Sequence, residues 1–371
     1  MTTSRSRWGL LSFAAAFVSI LAAGRPAPAQ APAEKTAGEA RKNVTVLKEM
    51  PTSQIGPVMA YMSASLGTNC EFCHVRNGQQ FEYDKDDKEK KKTARKMIQM
   101  VVDINKTSFE GKNEVTCYSC HQGHEKPVSE APIGVARGPE PRPAPGQAAE
   151  APPVPAKLIE KYVDAIGGKA AVDAVKSRTL KGSVVMGEGR NPAPTIEVYQ
   201  QGPDKMLSVM SGGPQGGMTQ GVNGTTGWMK DNRGLRDLAG DELAQQARVA
   251  SVFGAVQVKE PYTRFRYAGK DKINDRDVYV LRLPAVAGKS ERLYLDAENG
   301  LVLRRVLLTA TSIGQLPEQF DFEDYRDVNG VKVPFTIRSS NLNARATMTR
   351  KFTEIQHNTP VDDKLVKPSA E

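Results

Sequence analysis

All four cysteines of this 371-residue chain fall into two copies of one pattern, Cys70-Glu-Phe-Cys73-His74 and Cys117-Tyr-Ser-Cys120-His121. Nothing else in the sequence constrains the fold as tightly, because C-x-x-C-H is the attachment motif of c-type haem. The two thiols add to the haem vinyl groups, and their spacing lets one short turn reach both. The following histidine then stands under the macrocycle, where its imidazole binds iron from the proximal side. Two copies that use every cysteine imply two covalently bound haem c groups, held by Cys70, Cys73, His74, Cys117, Cys120 and His121. A four-thiolate zinc site is one rival, but residues 74–116 are a long spacer for it, and zinc leaves both histidines unexplained. Thioredoxin-like pairs or two disulfides also need no trailing histidine, and no βαβ pattern surrounds either motif.

Haem attachment through thioethers fits an exported protein, and the amino terminus reads that way. Arg5 and Arg7 precede an uncharged, mostly apolar run from Trp8 to Ala23, followed by Ala27-Pro28-Ala29. This is the layout of a secretory signal peptide over residues 1–29, and the run is shorter than the roughly 20 residues a spanning helix needs. An uncleaved anchor is the rival reading. The expected place is the periplasm, soluble or at the outer face of the inner membrane. Cleavage would remove Arg5, Arg7 and Arg25 and lower the net charge from +9 to +6. That is too little and too scattered to argue for nucleic acid.

Beyond the leader the chain divides in three. Residues 42–127 hold every cysteine and three of the four histidines. Nine prolines between 127 and 155 mark residues 128–155 as a semi-stiff linker that cannot build a core. From 156 to 371 the pattern opens with a helix (Leu158, Ile159, Tyr162, Val163, Ile166) ended by Gly167-Gly168. Short alternating strands follow, with turns at Asp296–Gly300 and Asp327–Gly330 and one more helix around Glu242–Phe253. This part reads as a β-rich domain with a few helices.

The sixth iron ligand separates a carrier from an enzyme. Met59 and Met62 lie on an expected helix, Ile55–Leu66, that stops at Gly67 just before Cys70; Met97 and Met100 lie on another, Lys90–Asn105, upstream of Cys117. A methionine-bearing helix before each motif makes a repeat of the form helix–turn–haem, although methionines at i and i+3 also serve as plain packing. The stretches Met59–His74 (MAYMSASLGTNCEFCH), Arg95–Asn105 (RKMIQMVVDIN) and Val115–Gly123 (VTCYSCHQG) resemble the cytochrome c subunit of the photosynthetic reaction centre over residues 42–127. The resemblance implies electron transfer to a photo-oxidised donor. It also implies a distal methionine on each preceding helix: Met59 opposite His74, and Met97 opposite His121. The family's familiar members carry four haems, whereas this chain has two motifs. A neutral thioether opposite imidazole raises the potential of the iron and leaves no open coordination position.

The expected fold class is therefore multidomain: a mainly α dihaem cytochrome c domain followed by a β-rich α+β domain, an incomplete barrel or curved antiparallel sheet. The helix-then-strands order of the second part is similar to periplasmic lipoprotein carriers, which implies a concave apolar face able to take a hydrophobic ligand. The expected role is electron carriage between redox proteins, such as a reaction centre or other membrane complex and a soluble donor, with no catalytic residue. The alternatives are a dihaem peroxidase or oxidase with one open iron, and a haem-bearing sensor or ligand-binding protein. Phe72 and Tyr118 are expected to pack on the haems. His124 is expected to ligate the other haem or contact a propionate, if it has a role at all. Trp228 is read as core, and His357 as a surface histidine. The run Lys85–Lys96, with seven bases and three acids, reads as a solvated helix start or as a docking face for an acidic partner.

Overall fold

The computed structural model of the protein describes residues 34–78, 80–129, 152–186, 193–202, 204–212, 216–232, 234–250, 264–286, 289–342 and 347–361. The expected leader, most of the proline-rich linker and the end of the Glu242–Phe253 helix lie outside them. The described residues belong to one compact unit.

A short helix α1 (Ala37–Ala40) leads into α2 (Ile55–Leu66), whose last carbonyls are met through Gly67 in the left-handed conformation, φ 64°. A 3-10 turn over Cys70–Phe72 and a small hairpin, β1 (Val75–Asn77) with β2 (Gln80–Glu82), precede the 20-residue helix α3 (Glu89–Ser108). The second motif is itself a five-residue helix, α4 (Cys117–His121).

The rest of the unit is built on one antiparallel sheet. Helices α5 (Pro155–Ala165) and α6 (Lys169–Ala174) come first, and then β3 (Ser177–Met186), β4 (Thr195–Gln201), β5 (Lys205–Ser211), β6 (Met218–Asn223), β7 (Thr226–Asp231) and β8 (Gly234–Asp237). After α7 (Gly240–Ala250) follow β9 (Arg266–Ile273), β10 (Arg276–Val286), β11 (Lys289–Asp296), β12 (Val302–Thr311), β13 (Gly314–Val328), β14 (Val331–Asn341) and β15 (Met348–His357). The thirteen strands run in the order β8-β7-β6-β5-β4-β3-β15-β14-β13-β12-β11-β10-β9. Only the β3–β15 pair breaks the meander, so the sheet grows as two runs of hairpins joined at their middle. Asn329-Gly330, both at positive φ, closes β13 onto β14 as the two-residue turn that matches strand twist.

Helix α5 lies across both halves. Its Leu158, Ile159 and Val163 pack with Leu281, Leu293, Leu295 and Val302. Ile166, just past its end, joins Leu180, Val198, Val333 and Phe352 on the other half. The backbone closes this joint: Lys332 N–H donates to Ile166 O at 2.9 Å. Trp228 is buried on β7, flat enough over Gly221 that a Cβ there would meet the indole at 2.5 Å.

The expected fold class is corrected by this architecture. The described residues do not form a mainly α haem domain; they are dominated by the thirteen-stranded sheet, and the motif segment adds α1 to α4 and the β1–β2 hairpin. The segment's core consists of Ala37, Met50, Val58, Tyr61 and Ile98, and Ile313 from the sheet completes it. The segment thus shares its core with a residue from the sheet side of the molecule.

Candidate haem-attachment site

Both attachment motifs sit immediately after a point where the backbone is pinned. For the first, α2 buries Val58, Tyr61 and Ser65 on one face, and its end is held by Gly123 N–H donating to Ser65 O at 2.9 Å. A Cβ on Gly67 would lie 2.0 Å from the Gly123 carbonyl oxygen, so the turn before Cys70 and the turn after His121 are in direct contact. For the second, buried Asn105 on α3 clamps the incoming loop. Its amide donates to Val115 O at 2.6 Å, and its carbonyl accepts from Val115 N–H at 2.9 Å. Thr116 N–H then donates to Ser119 Oγ at 3.0 Å and starts α4.

The donor set suits haem chemistry. All four thiols are free, Cys70 and Cys120 being exposed and Cys73 and Cys117 half-buried. Burial pushes the Cys73 and Cys117 thiols up. Among the described residues no group of three or more His, Cys, Asp or Glu side chains is placed to hold a metal ion.

The histidines are prepared in two ways. His121 Nδ1 lies 3.0 Å from the His124 carbonyl oxygen. A carbonyl can only accept, so Nδ1 carries the proton and Nε2 is left with its lone pair, the usual arrangement of a metal-bound imidazole. His124 therefore acts through its backbone, and its side chain is exposed. The His74 ring meets the edge of Tyr83 at 5.0 Å between centroids, and its buried Nδ1 has no hydrogen-bond partner. Burial first, then the charges of Lys91, Arg95 and Lys88, push the His74 pKa down from its ordinary value.

The methionines divide by exposure. Met62 packs partly into the core of the segment, whereas Met59 is 36% exposed and Met97 and Met100 are 41% and 44% exposed. Tyr83 and Tyr118 are also open to solvent, and Phe72 is half-buried under the Lys90 ammonium at 5.0 Å. Large apolar side chains gathered on an otherwise charged segment indicate a surface built to be covered. Thiols, imidazoles and exposed thioethers in one segment fit haem.

The basic run resolves into braces that the sequence reading missed. Lys91 is buried; its ammonium donates to the carbonyls of Tyr83 at 2.8 Å and Lys85 at 2.7 Å and pairs with Asp86 at 2.9 Å. Arg95 pairs with Asp86 at 2.8 Å, and Lys90 with Glu125 at 2.5 Å. Arg95, Lys91 and Asn43 together hold the Asp86 carboxyl well below the usual carboxylate range. Only the buried position of Lys91, invisible in the spacing, distinguishes it from its neighbours. Among the described residues no helix is long and apolar enough to cross a membrane.

No curated protein matches the chain in sequence. The chain is similar in structure to a LolA superfamily protein from Nitrosomonas europaea, at 14% identity and TM-score 0.41, over 58% of this chain and 99% of that one. A putative outer membrane lipoprotein-sorting protein domain from Vibrio parahaemolyticus gives 11% identity and TM-score 0.39, over 56% and 94%. The Mycobacterium tuberculosis lipoprotein LppX gives 10% identity and TM-score 0.22, over 56% and 98%. Both attachment motifs and their helices lie inside residues 14–135, and that part of the chain matches the family described as photosynthetic reaction centre cytochrome C subunit.

Proposed function

We propose that the protein is an exported dihaem c-type cytochrome that carries electrons between redox proteins. The observation that carries this reading is the pair of C-x-x-C-H turns, each preceded by a helix that leaves a methionine thioether uncovered. Cys70 and Cys73 would hold one haem and Cys117 and Cys120 the other. His74 with Met59, and His121 with Met97, would be the axial pairs. When bound, each haem supplies an iron that cycles between ferric and ferrous states. The chain's part is to hold the two imidazoles in place, His121 through the His124 carbonyl and His74 against the Tyr83 ring edge. The direct contact between Gly67 and Gly123 supports a short path between the two sites. Residues 1–29 would be the leader and 128–155 the linker, and the partner would be a membrane electron-transfer complex of reaction-centre type.

The test is the mass and spectrum of the exported protein. Two covalent haems and a low-spin ferric spectrum with the weak far-red thioether-to-iron band are expected. A high-spin ferric spectrum with fast peroxide turnover would favour a peroxidase instead.

A further inference from the structure

The turn between β12 and β13 is unlike other hairpin tips. Thr311 pairs with Gly314, so the loop is only Ser312 and Ile313, and a loop of this kind ordinarily carries polar residues into solvent. Here Ile313 is fully buried. Thr311 Oγ1 donates to Gly314 O at 2.8 Å and fixes the tip's shape.

What buries it is the attachment segment. Ile313 packs with Val58 and Tyr61 of α2 and Ile98 of α3, and Cys117 and Met62 lie against the same cluster. A Cβ on Gly314 would stand 3.1 Å from Tyr61 Oη and 3.2 Å from Thr116 Cγ2, and its φ of 145° disfavours a side chain as well. The Asn113 amide, three residues before Thr116, donates to the Thr311 carbonyl. Three separate contacts thus reach the entry of the second motif, while none of residues 70–74 belongs to that cluster.

We propose that the β12–β13 turn is a positioning element for the second haem: Ile313 and Gly314 set where Tyr61 and Thr116 stand, and so fix the Cys117–His121 turn against α2. The sheet is then part of the apparatus that tunes one of the two sites. This rests on the haem-binding reading above.

The experiment is a redox titration of the full haem-loaded chain, carried out on wild type, Ile313→Ala and Asn113→Ala, with haem content taken from the protein mass. The same Ile313→Ala change is also made in a Cys117→Ser/Cys120→Ser chain that carries only the first haem. One of the two one-electron steps is expected to shift in each single variant by threefold or more in its ferric-to-ferrous equilibrium constant. The other step should hold, and the chain with only the first haem should show no shift. Two unmoved steps, or two steps moving together in proportion to lost thermal stability, would overturn the proposal. Asn113→Ala leaves the buried tip intact, so the test stands if Ile313→Ala does not fold. Fewer than two covalent haems in wild type would instead overturn the haem reading itself, and the mass reports that without any potential.

Discussion

At the scale of single residues, burial decides more than type. Met59 and Met97 are large apolar groups left outside the core, as is Met100. Met59→Ala and Met97→Ala should each remove about half of the far-red band, read by absorption of the ferric protein; loss of none by either would contradict the pairing. His357 shows the reverse. It is a buried residue at the end of β15 rather than a surface one. Burial, then the Arg178 charge, pushes its pKa down to about 4, and the Val328 backbone and Asp327 oppose this only in part. The unfolded chain therefore takes up this proton at higher pH than the folded one. Stability is full above the ordinary histidine pKa and falls as pH drops from there toward 4. His357→Gln should recover on the order of 1–2 kcal/mol of that loss, after allowance for partial screening. Equal losses in wild type and variant between pH 7 and pH 4, followed by denaturant unfolding, would contradict this.

At the scale of elements, the sequence was informative where a signal was local. Ile55–Leu66 is a helix with the expected bounds, stopped at Gly67, and Lys90–Asn105 lies within α3. The turns at Asp296–Gly300 and Asp327–Gly330 join strands, as their Asp, Asn and Gly residues required. The β1–β2 hairpin after His74 was not read, because its three-residue strands are too short to show a period. The contact of Gly67 with Gly123 was equally hidden, being fixed by packing rather than spacing. A side chain at Gly67 meets both a left-handed φ and the Gly123 carbonyl. Gly67→Ala should cost about 1–3 kcal/mol in thermal or denaturant unfolding. The Asn105 clamp makes a parallel case. Asn105→Ala leaves the half-buried Val115 backbone groups without these partners and should cost about 1–3 kcal/mol, whereas an exposed control such as Asn77→Ala should cost little.

At the scale of the whole molecule, the attachment segment and the sheet share side chains. Ile313 and Leu316 come from the sheet into the core around Tyr61 and Ile98. Calorimetry of the loaded protein should therefore show one cooperative transition for segment and sheet, since the segment completes its core with residues from the sheet. Two well-separated transitions would contradict the shared core. The expectation of a mainly α haem domain failed here for a physical reason. Composition shows where apolar residues are dense, but not that a hairpin tip two hundred residues away will fill the gap.

The sequence alone determined the chemistry on offer, because thiols, imidazole and the methionine-bearing helix lie within short stretches whose spacing is itself the signal. Only the tertiary structure decided which thioethers stay uncovered, which His121 nitrogen keeps its lone pair, and that Lys91 braces a loop instead of facing a partner. Those outcomes depend on burial, and burial is set by contacts between residues far apart in the chain, which no local pattern records.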